Sequence, residues 1–413
     1  MAKTDPFAKL LADADKKYNI SIGPMRGIAT DTKFISTGNM SIDYAFGGGI
    51  PLGRITELAG APSSGKTTTA LQAAVNLYNI IVSGGDPEMG IKPDDHIIYF
   101  DYEQAMDPDY AEALGLNLDD GVVQFSQPDT LEEGANYARD LIKTGRVRMV
   151  IFDSLAAMTP SAKAEADIGK SLPAIQAKLM TDFGAALNPI LREHQTAAVF
   201  INHEREKMNM GGRPGMAPVI TTPGGVAMKY YASLRASYKQ IRKNMSAVID
   251  PLTGLEENMV TSTDVIVSVP KNKVAPPYRK AEVKVRFGKG FDNFSSALTI
   301  LTASKYIMHS SPNYFFHKLE DQGLAPDWMP RLKTGTQRPY IKGKPGVFKA
   351  SDEHPEWRQA IIDLGQKVAL ENAEKGITTQ DEDDDDGDEV EDLSDVLDAK
   401  PDDTTRRASL TKK

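Results

Sequence analysis

A glycine-rich segment gives the strongest chemical signal in the sequence. It fits the pattern G-x-x-x-x-G-K-[ST] and consists of Gly60, Ala61, Pro62, Ser63, Ser64, Gly65, Lys66 and Thr67. The segment follows a predicted strand and precedes a predicted helix, as this pattern requires, so a chance glycine-rich turn is disfavoured. In such a loop the backbone N–H groups wrap phosphates, the lysine reaches the outer phosphates and the threonine hydroxyl can ligate Mg²⁺. The sequence therefore predicts a phosphate-binding loop for a nucleoside triphosphate.

Two acidic residues at the ends of apolar runs could complete this chemistry. Asp153 ends the run Val147–Asp153, and beside a phosphate loop it would hold the magnesium shell. Taken alone it is weak evidence, because an aspartate at the end of a buried strand often caps a helix. Glu103 comes just past the run His96–Asp101, where a carboxylate can orient the water that attacks the γ-phosphate. A solvated loop acid is an equally good interpretation of Glu103 from the residues alone.

Alternating strands and helices are expected to position these groups. Helical spacing of apolar residues is seen, for example, at Leu71, Ala74, Val75 and Tyr78. The candidate buried strands are short apolar runs that end in polar residues, namely Arg54–Leu58, His96–Asp101, Val147–Asp153 and Ala197–Asn202. We expect the alternation to continue to about residue 300. It predicts the α/β class, with a mostly parallel sheet and the ligand at the carboxyl ends of its strands.

Composition and charge limit the functional classes. The 413 residues are 40% hydrophobic and 25% charged, which is ordinary for a globular protein, and the absence of cysteine excludes disulfides and thiolate chemistry. The net charge is −9, and residues 381–413 account for all of it with 14 acidic and 5 basic residues, which leaves 43 of each elsewhere. A nucleic-acid partner is therefore compatible with the low isoelectric point. We find no apolar leader or membrane span and expect a cytoplasmic protein without membrane contact.

The chain divides into four predicted regions. Residues 1–30 form a short helical arm, residues 31–299 the nucleotide-binding core, residues 300–376 a small α/β domain, and residues 377–413 a disordered acidic tail. The small domain ends in an amphipathic helix around Trp357, Ile361 and Val368. The stretch from Glu204 to Gly225, rich in Gly, Met and Pro, interrupts the core and is longer than most loops, which indicates a functional segment.

Several long blocks resemble the bacterial RecA recombinases and stand in the same order. They begin with FISTGNMSIDYAFGGGIPLGRITELAGAPSSGKTT and continue with DYEQAMDPDYAEALGL, SQPDT, VIFDSLAAMTP, TTPGGVAMKYYASLR and PKNKVAPPYRKAEV. The resemblance covers roughly residues 30–295. It implies a RecA-like P-loop ATPase core that uses ATP and Mg²⁺, and an amino-terminal arm that docks on the next subunit of a filament.

The resemblance also implies roles for individual residues. The catalytic set is Glu103, Lys66 and His203. The ATP-binding set adds Thr68, Tyr110, which matches the aromatic residue that stacks on adenine, and Lys271 and Lys273, which match lysines that reach the neighbouring subunit's nucleotide. Two segments, Lys163–Pro173 and Glu204–Thr222, match DNA-contacting loops. The DNA-binding residues are then Arg205, Lys207, Met208, Met210, Arg213, Met216, Val219, Ile220 and Lys229. Cations would contact phosphates and apolar side chains would wedge between bases.

Three positions depart from the bacterial pattern. His203 stands where a glutamine senses the γ-phosphate, and histidine there is similar to the recombinases of some large phages. Tyr230 stands where a phenylalanine packs into the next subunit, and Pro62 replaces a usual glutamate. These changes leave the activity class intact and make a phage-encoded recombinase plausible.

The resemblance thus predicts an ATP-dependent recombinase that forms a helical filament on single-stranded DNA and exchanges strands with a homologous duplex, in recombination and repair. Single-strand-binding and mediator proteins are further expected partners. The alternatives are a hexameric helicase or motor with the same fold, and a recombination mediator that hydrolyses little ATP. The acidic tail could compete with duplex DNA for the basic segment Trp328–Ala350, or serve solubility alone.

Overall fold

The computed structural model describes residues 5–18, 32–164, 173–207, 219–221, 227–249, 254–332 and 337–375, and at some of these, including 205–207 and 219–221, it describes the backbone alone. The predicted disordered tail therefore lies outside the described residues. The first elements are a helix within the predicted arm and a small hairpin that leads into the core. They are α1 (Pro6–Tyr18), β1 (Phe34–Ile35), α2 (Met40–Phe46) and β2 (Ile50–Pro51).

Strands and helices then alternate, as the apolar runs predict. The strands predicted at 96–101 and 147–153 are confirmed to the residue. The strand predicted at Arg54–Leu58 begins one residue later and ends two residues later than expected. These elements are β3 (Ile55–Gly60), α3 (Lys66–Val82), β4 (His96–Asp101), α4 (Pro108–Leu114), β5 (Val123–Ser126), α5 (Leu131–Ile142), β6 (Val147–Asp153), α6 (Ser161–Ala164), α7 (Pro173–His194) and β7 (Ala197–His203).

The predicted alternation stops after β7, which corrects the expectation that it continues to residue 300. Between residues 234 and 291 the described residues form successive strands that pair antiparallel, which long strands with one polar face can do without a crossover helix. The elements are β8 (Arg205–Lys207), β9 (Val219–Thr221), α8 (Ala227–Tyr231), β10 (Leu234–Ile249), β11 (Glu256–Asn272), β12 (Lys280–Arg286) and β13 (Gly290–Phe291).

The carboxyl-terminal elements pack around an apolar cluster of their own. Phe294 and Trp357 lie in this cluster with edge-on ring contact at 5.9 Å between centroids. The elements are α9 (Asn293–Ala303), β14 (Met308–Ser310), β15 (Asn313–Phe315), a 3₁₀ helix (His317–Gln322), β16 (Tyr340–Lys342), α10 (Gly343–Glu353) and α11 (Pro355–Lys375). Helix α9 runs across the boundary that we placed at residue 299, so the division of the chain at that point stays a prediction.

One large sheet organises the core. Within the described residues its strand order is β13-β12-β11-β10-β3-β7-β6-β4-β5, and β10, β3, β7, β6, β4 and β5 run parallel to one another. The prediction of an α/β fold with a mostly parallel central sheet is confirmed. Because the strands are parallel, their carboxyl ends lie at one edge of the sheet.

Aromatic stacking fills the layer between the sheet and α7. Phe152 stacks on Phe100 and on Phe200 with ring centroids 5.3 and 4.5 Å apart, and Phe183 of α7 closes the layer edge-on. All three stacked rings are fully buried. The carboxyl ends of β4, β6 and β7 are therefore held at fixed spacing.

The amino-terminal helix α1 carries exposed apolar side chains. In α1 the side chains of Phe7 and Leu10 are 65% and 66% exposed, which leaves an apolar face of the arm open to a partner. None of the helices in the described part of the chain is long and apolar enough to cross a membrane.

Phe152→Ala should lower the free energy of unfolding by about 3–5 kcal/mol, because it opens a cavity between two stacked rings. Phe125→Ala is the matched control, since that ring is 49% exposed and water can refill its site. Urea unfolding followed by circular dichroism measures both. Equal losses in the two variants would contradict the assignment of Phe152 to the core.

Candidate active site

The predicted phosphate-binding loop connects β3 to α3 at the carboxyl edge of the sheet. Gly60 needs to be glycine because a Cβ there would lie 2.5 Å from the Tyr238 carbonyl oxygen of β10. Gly65, the residue before α3, has φ 91°, a left-handed conformation that glycine adopts without strain. The loop therefore approaches its neighbours closely and turns sharply into the amino end of a 17-residue helix, where N–H groups favour an anion.

Lys66 is held in this loop by a backbone carbonyl. Its Nζ donates to the Ala61 carbonyl oxygen at 2.7 Å, and the residue is 4% exposed. Burial lowers the pKa of Lys66 to about 8, although nearby acids, with Asp153 and Glu103 foremost, act in the opposite direction. Phosphate oxygens in the loop would satisfy this charge better than one carbonyl, which is a neutral dipole.

The predicted magnesium ligands Thr67 and Asp153 are in contact. The Thr67 hydroxyl donates to Asp153 Oδ2 at 3.1 Å, and Tyr99 donates to the same oxygen at 2.7 Å. Burial raises the pKa of Asp153, and the two hydrogen bonds partly offset this effect. A hydroxyl and a carboxylate are oxygen ligands of the kind that Mg²⁺ takes. Among the described residues no group of three or more His, Cys, Asp or Glu side chains could hold a metal ion.

Glu103 lies in the loop after β4, is exposed, and has two hydrogen-bond partners. Its Oε1 accepts a close hydrogen bond from the Ser154 hydroxyl and lies 2.8 Å from His203 Nε2. Burial alone would raise the pKa of Glu103, but these hydrogen bonds and the nearby charges outweigh it, so the pKa is lowered. Glu103 is therefore ionised at neutral pH and can accept a proton from water.

An open cleft of about 520 Å³ lies beside the loop. Tyr110 of α4 lines it, and its hydroxyl is 2.9 Å from the Thr68 hydroxyl. The opposite wall comes from the end of β12 and the following turn, at Val285, Arg286, Phe287 and Gly288. An aromatic face and apolar carbons beside a phosphate site suit a nucleoside base.

Lys271 and Lys273 lie apart from this cleft. Lys271 pairs in register with Arg235 of β10, and Arg235 pairs in register with Glu57 of β3. Glu57 lies three residues before the phosphate-binding loop begins, which is about 10 Å along the strand. Within the chain both lysines donate to the carbonyl oxygen of Tyr230 at the end of α8, at 3.1 and 3.4 Å, and Lys271 also donates to that of Lys229. A single subunit therefore does not bring these cations to its own phosphate loop.

The segments predicted to contact DNA are described in part. The backbones of β8 and β9, which hold Arg205, Lys207, Val219 and Ile220, pair antiparallel with each other. Met208, Met210, Arg213 and Met216 lie outside the described residues, as does most of the segment at 163–173. Lys229 and Tyr230 are exposed on α8, Tyr230 at 70%.

Sequence reasoning missed several residues of the site. Tyr99 looks like one more apolar strand residue, and Ser154 like a helix cap, yet both bind the acidic residues of the centre. The buried Glu57 gave no local signal either, because its partners Asn202 and Arg235 lie on other strands. The wall formed by Arg286 and Phe287 gave none because it approaches the cleft from the end of β12. The tyrosine within an apolar run was the one available hint.

The chain is similar in sequence to one protein family and to several known proteins. Residues 10–292 match the family model described as RecA N-terminal domain. The chain is 39% identical to the protein RecA of Deinococcus radiodurans over 335 residues, which cover 81% of this chain and 79% of that protein. It is 33% identical to the protein RecA of Lactobacillus acidophilus over 383 residues, covering 91% and 94%. Identity to the protein RecA of Streptococcus sanguinis is 35% over 331 residues, covering 80% and 78%.

Ser154→Ala should raise the pKa of Glu103 towards the ordinary value of a glutamate, because the carboxylate loses a donor. If Glu103 is the general base and acts in its ionised form, the acid limb of the pH profile of nucleotide hydrolysis should move to higher pH. Ser83→Ala, an exposed serine at the end of α3, is the control and should leave the profile unchanged. An unmoved acid limb in Ser154→Ala would show that this hydroxyl does not tune the catalytic carboxylate.

Proposed function

The chain belongs to the RecA family of DNA recombinases, and from this membership we propose that it binds ATP with Mg²⁺ in the cleft beside Lys66 and hydrolyses ATP when it is bound to DNA. In this proposal it works as a helical filament of many copies on single-stranded DNA and pairs that strand with a homologous duplex. The observation that carries the proposal is the convergence of Lys66, Thr67, Glu103, Asp153 and His203 at one edge of the sheet.

The residues around the loop suit a triphosphate with one bound cation. Thr67 and Asp153 would hold Mg²⁺, which when bound neutralises charge on the phosphate oxygens. Lys66 would exchange the Ala61 carbonyl for the outer phosphates, and Tyr110 would face the adenine. The loop N–H groups and the amino end of α3 add fixed partial positive charge.

Hydrolysis in this proposal is carried by Glu103 and its partners. The ionised carboxylate accepts a hydrogen bond from the attacking water and takes its proton as the oxygen approaches phosphorus. Ser154 holds the carboxylate in position, and His203, the last residue of β7, contacts it and can donate to the γ-phosphate. His203 therefore links the state of the nucleotide to the segment that begins at Glu204.

The second half of the site is supplied by a neighbouring copy in this proposal. Lys271 and Lys273 would release the carbonyls of α8 and bind the γ-phosphate of the next subunit's nucleotide. Because α8 also presents Tyr230, the release couples nucleotide binding to the subunit contact. The exposed apolar face of α1 is a second contact for the neighbouring copy.

The alternatives fare less well. A mediator that hydrolyses little ATP has no need of the contact between Glu103, Ser154 and His203, and the family membership disfavours a hexameric helicase. The DNA contacts of residues 204–222, the single-strand-binding and mediator partners and the phage origin stay predictions.

Lys66→Ala should reduce ATP hydrolysis with single-stranded DNA by about 100-fold or more, because a positioned charge on the phosphates is lost. Glu103→Gln should keep ATP affinity and slow turnover by about 100- to 10,000-fold, because the general base alone is removed. Phosphate release and nucleotide binding are measured separately, with Glu112→Gln, an exposed acid on α4, as control. Normal turnover in Glu103→Gln would contradict its catalytic role.

Mixing two inactive variants tests whether the lysines act on a neighbouring nucleotide. Lys271→Ala/Lys273→Ala protein retains an intact phosphate loop, and Lys66→Ala protein retains both lysines. Together on single-stranded DNA they should recover part of the wild-type ATP hydrolysis, because some interfaces combine the two intact halves. Electron microscopy establishes co-assembly, and mixed filaments without any hydrolysis would refute action across the interface.

A further inference from the structure

A fully buried carboxylate joins three strands of the sheet. Glu57 of β3 is 0% exposed, and its two oxygens have different partners. Oε1 accepts from Asn202 Nδ2 of β7 at 2.8 Å, and Oε2 accepts a close bond from Arg235 Nε of β10. A charge at such depth is stable only when it is paired and hydrogen-bonded, so these contacts fix both neighbouring side chains.

On one side this contact leads to the nucleotide cleft. The side-chain oxygen of Asn202 accepts from the backbone N–H of His203 at 2.9 Å, and His203 Nε2 lies 2.8 Å from Glu103. The side-chain amide of Asn202 thus contacts Glu57 through its nitrogen and the backbone N–H of His203 through its oxygen. A shift of the Glu57 carboxylate would be felt at the group next to the catalytic glutamate.

On the other side the contact leads to the cations that face a neighbouring copy. Arg235 pairs in register with Lys271, so its guanidinium adds a third positive charge beside Lys271 and Lys273. The pKa of Lys271 is lowered, by burial first and then by the charges of Lys273 and Arg235, while Glu57 acts in the opposite direction. Glu57 therefore offsets a charge that would otherwise repel both lysines.

We propose that Glu57 is a positioning residue that couples the two half-sites of one subunit, the Glu103–His203 pair at its own nucleotide and the Lys271–Lys273 pair directed to the next subunit's nucleotide. The inference rests on the proposed function, since it requires that the lysines act across the interface. An anionic γ-phosphate bound by the lysines draws Arg235 towards it and loosens its hold on Oε2. The Glu57 carboxylate then turns towards Asn202, and the orientation of the His203 side chain changes in the same subunit.

A second buried ion pair offers a matched control. Arg148 Nε donates to Asp95 Oδ2 at 2.7 Å, and this carboxylate is as deeply buried as that of Glu57. The pair lies at the amino ends of β4 and β6, on the opposite edge of the sheet from the phosphate loop. Asp95→Asn removes a buried charge without touching either half-site.

The test is the dependence of ATP hydrolysis on ATP concentration with saturating single-stranded DNA, for wild type, Glu57→Gln and Asp95→Asn. Glutamine can still accept from Asn202 but leaves Arg235 uncompensated. We expect a Hill coefficient above one for the wild type and for Asp95→Asn, and one close to unity for Glu57→Gln. A Glu57→Gln protein as cooperative as the wild type, or an Asp95→Asn protein that loses cooperativity equally, would overturn the inference.

A double variant separates coupling from stability. Glu57→Gln/Arg235→Gln removes both charges, so the melting temperature should return towards that of the wild type while the Hill coefficient stays near one. Recovery of both quantities would show a purely structural pair. If Glu57→Gln does not fold, Arg235→Gln alone repeats the test at a partly exposed side chain. If the proposed function itself is wrong, the wild type will lack DNA-stimulated or cooperative ATP hydrolysis. That result distinguishes failure of the proposed function from failure of the inference about Glu57.

Discussion

Parallel pairing of the buried strands β3, β7, β6 and β4 brings the reactive groups to one edge of the sheet. In this register Gly60 is opposite His203, and Asp101 is opposite Asp153. The phosphate loop, the histidine and the acidic residues therefore start from neighbouring strand ends, and short turns suffice to bring them into contact. Stacked phenylalanines beneath the strands keep this spacing, because a densely packed layer allows few alternative arrangements.

Burial gives the groups at this edge their chemical character. The pKa of Lys66 is lowered to about 8 and that of Asp153 is raised, both chiefly because the charged forms lose water. Glu103 differs, since two donors stabilise its charge enough to lower its pKa. A phosphate and a cation would satisfy Lys66 and Asp153, whereas the charge of Glu103 already has hydrogen-bond partners in the single subunit.

The same sheet carries two half-sites that serve different nucleotides in the proposed filament. One half-site consists of the phosphate-binding loop and the groups around Glu103 at the carboxyl edge of the sheet. The other consists of Lys271 and Lys273, which donate to a carbonyl oxygen of α8 in the single subunit. Glu57 lies between them and contacts a strand from each side. A charge buried at this point destabilises the fold unless its partners Asn202 and Arg235 both stay in place. The Glu57 carboxylate therefore responds to a change in either half-site.

Local pattern in the sequence was enough to predict the phosphate-binding loop and the strands that precede it and Asp153, because each depends on residues adjacent in the chain. Asp153 alone is weak evidence, and it is interpreted as a magnesium ligand because the phosphate-binding loop is present. Local pattern also identified the family, since long blocks in one order carry that information. The hydrogen-bond partners of Glu103 could not be predicted from the residues around it, because Ser154 and His203 come from the ends of β6 and β7. The antiparallel strands from 234 to 291, the tyrosine that binds Asp153 and the Glu57 contact were decided by tertiary structure alone. Each depends on which strands become neighbours, and strand order is a property of the packed sheet that no short stretch of sequence contains.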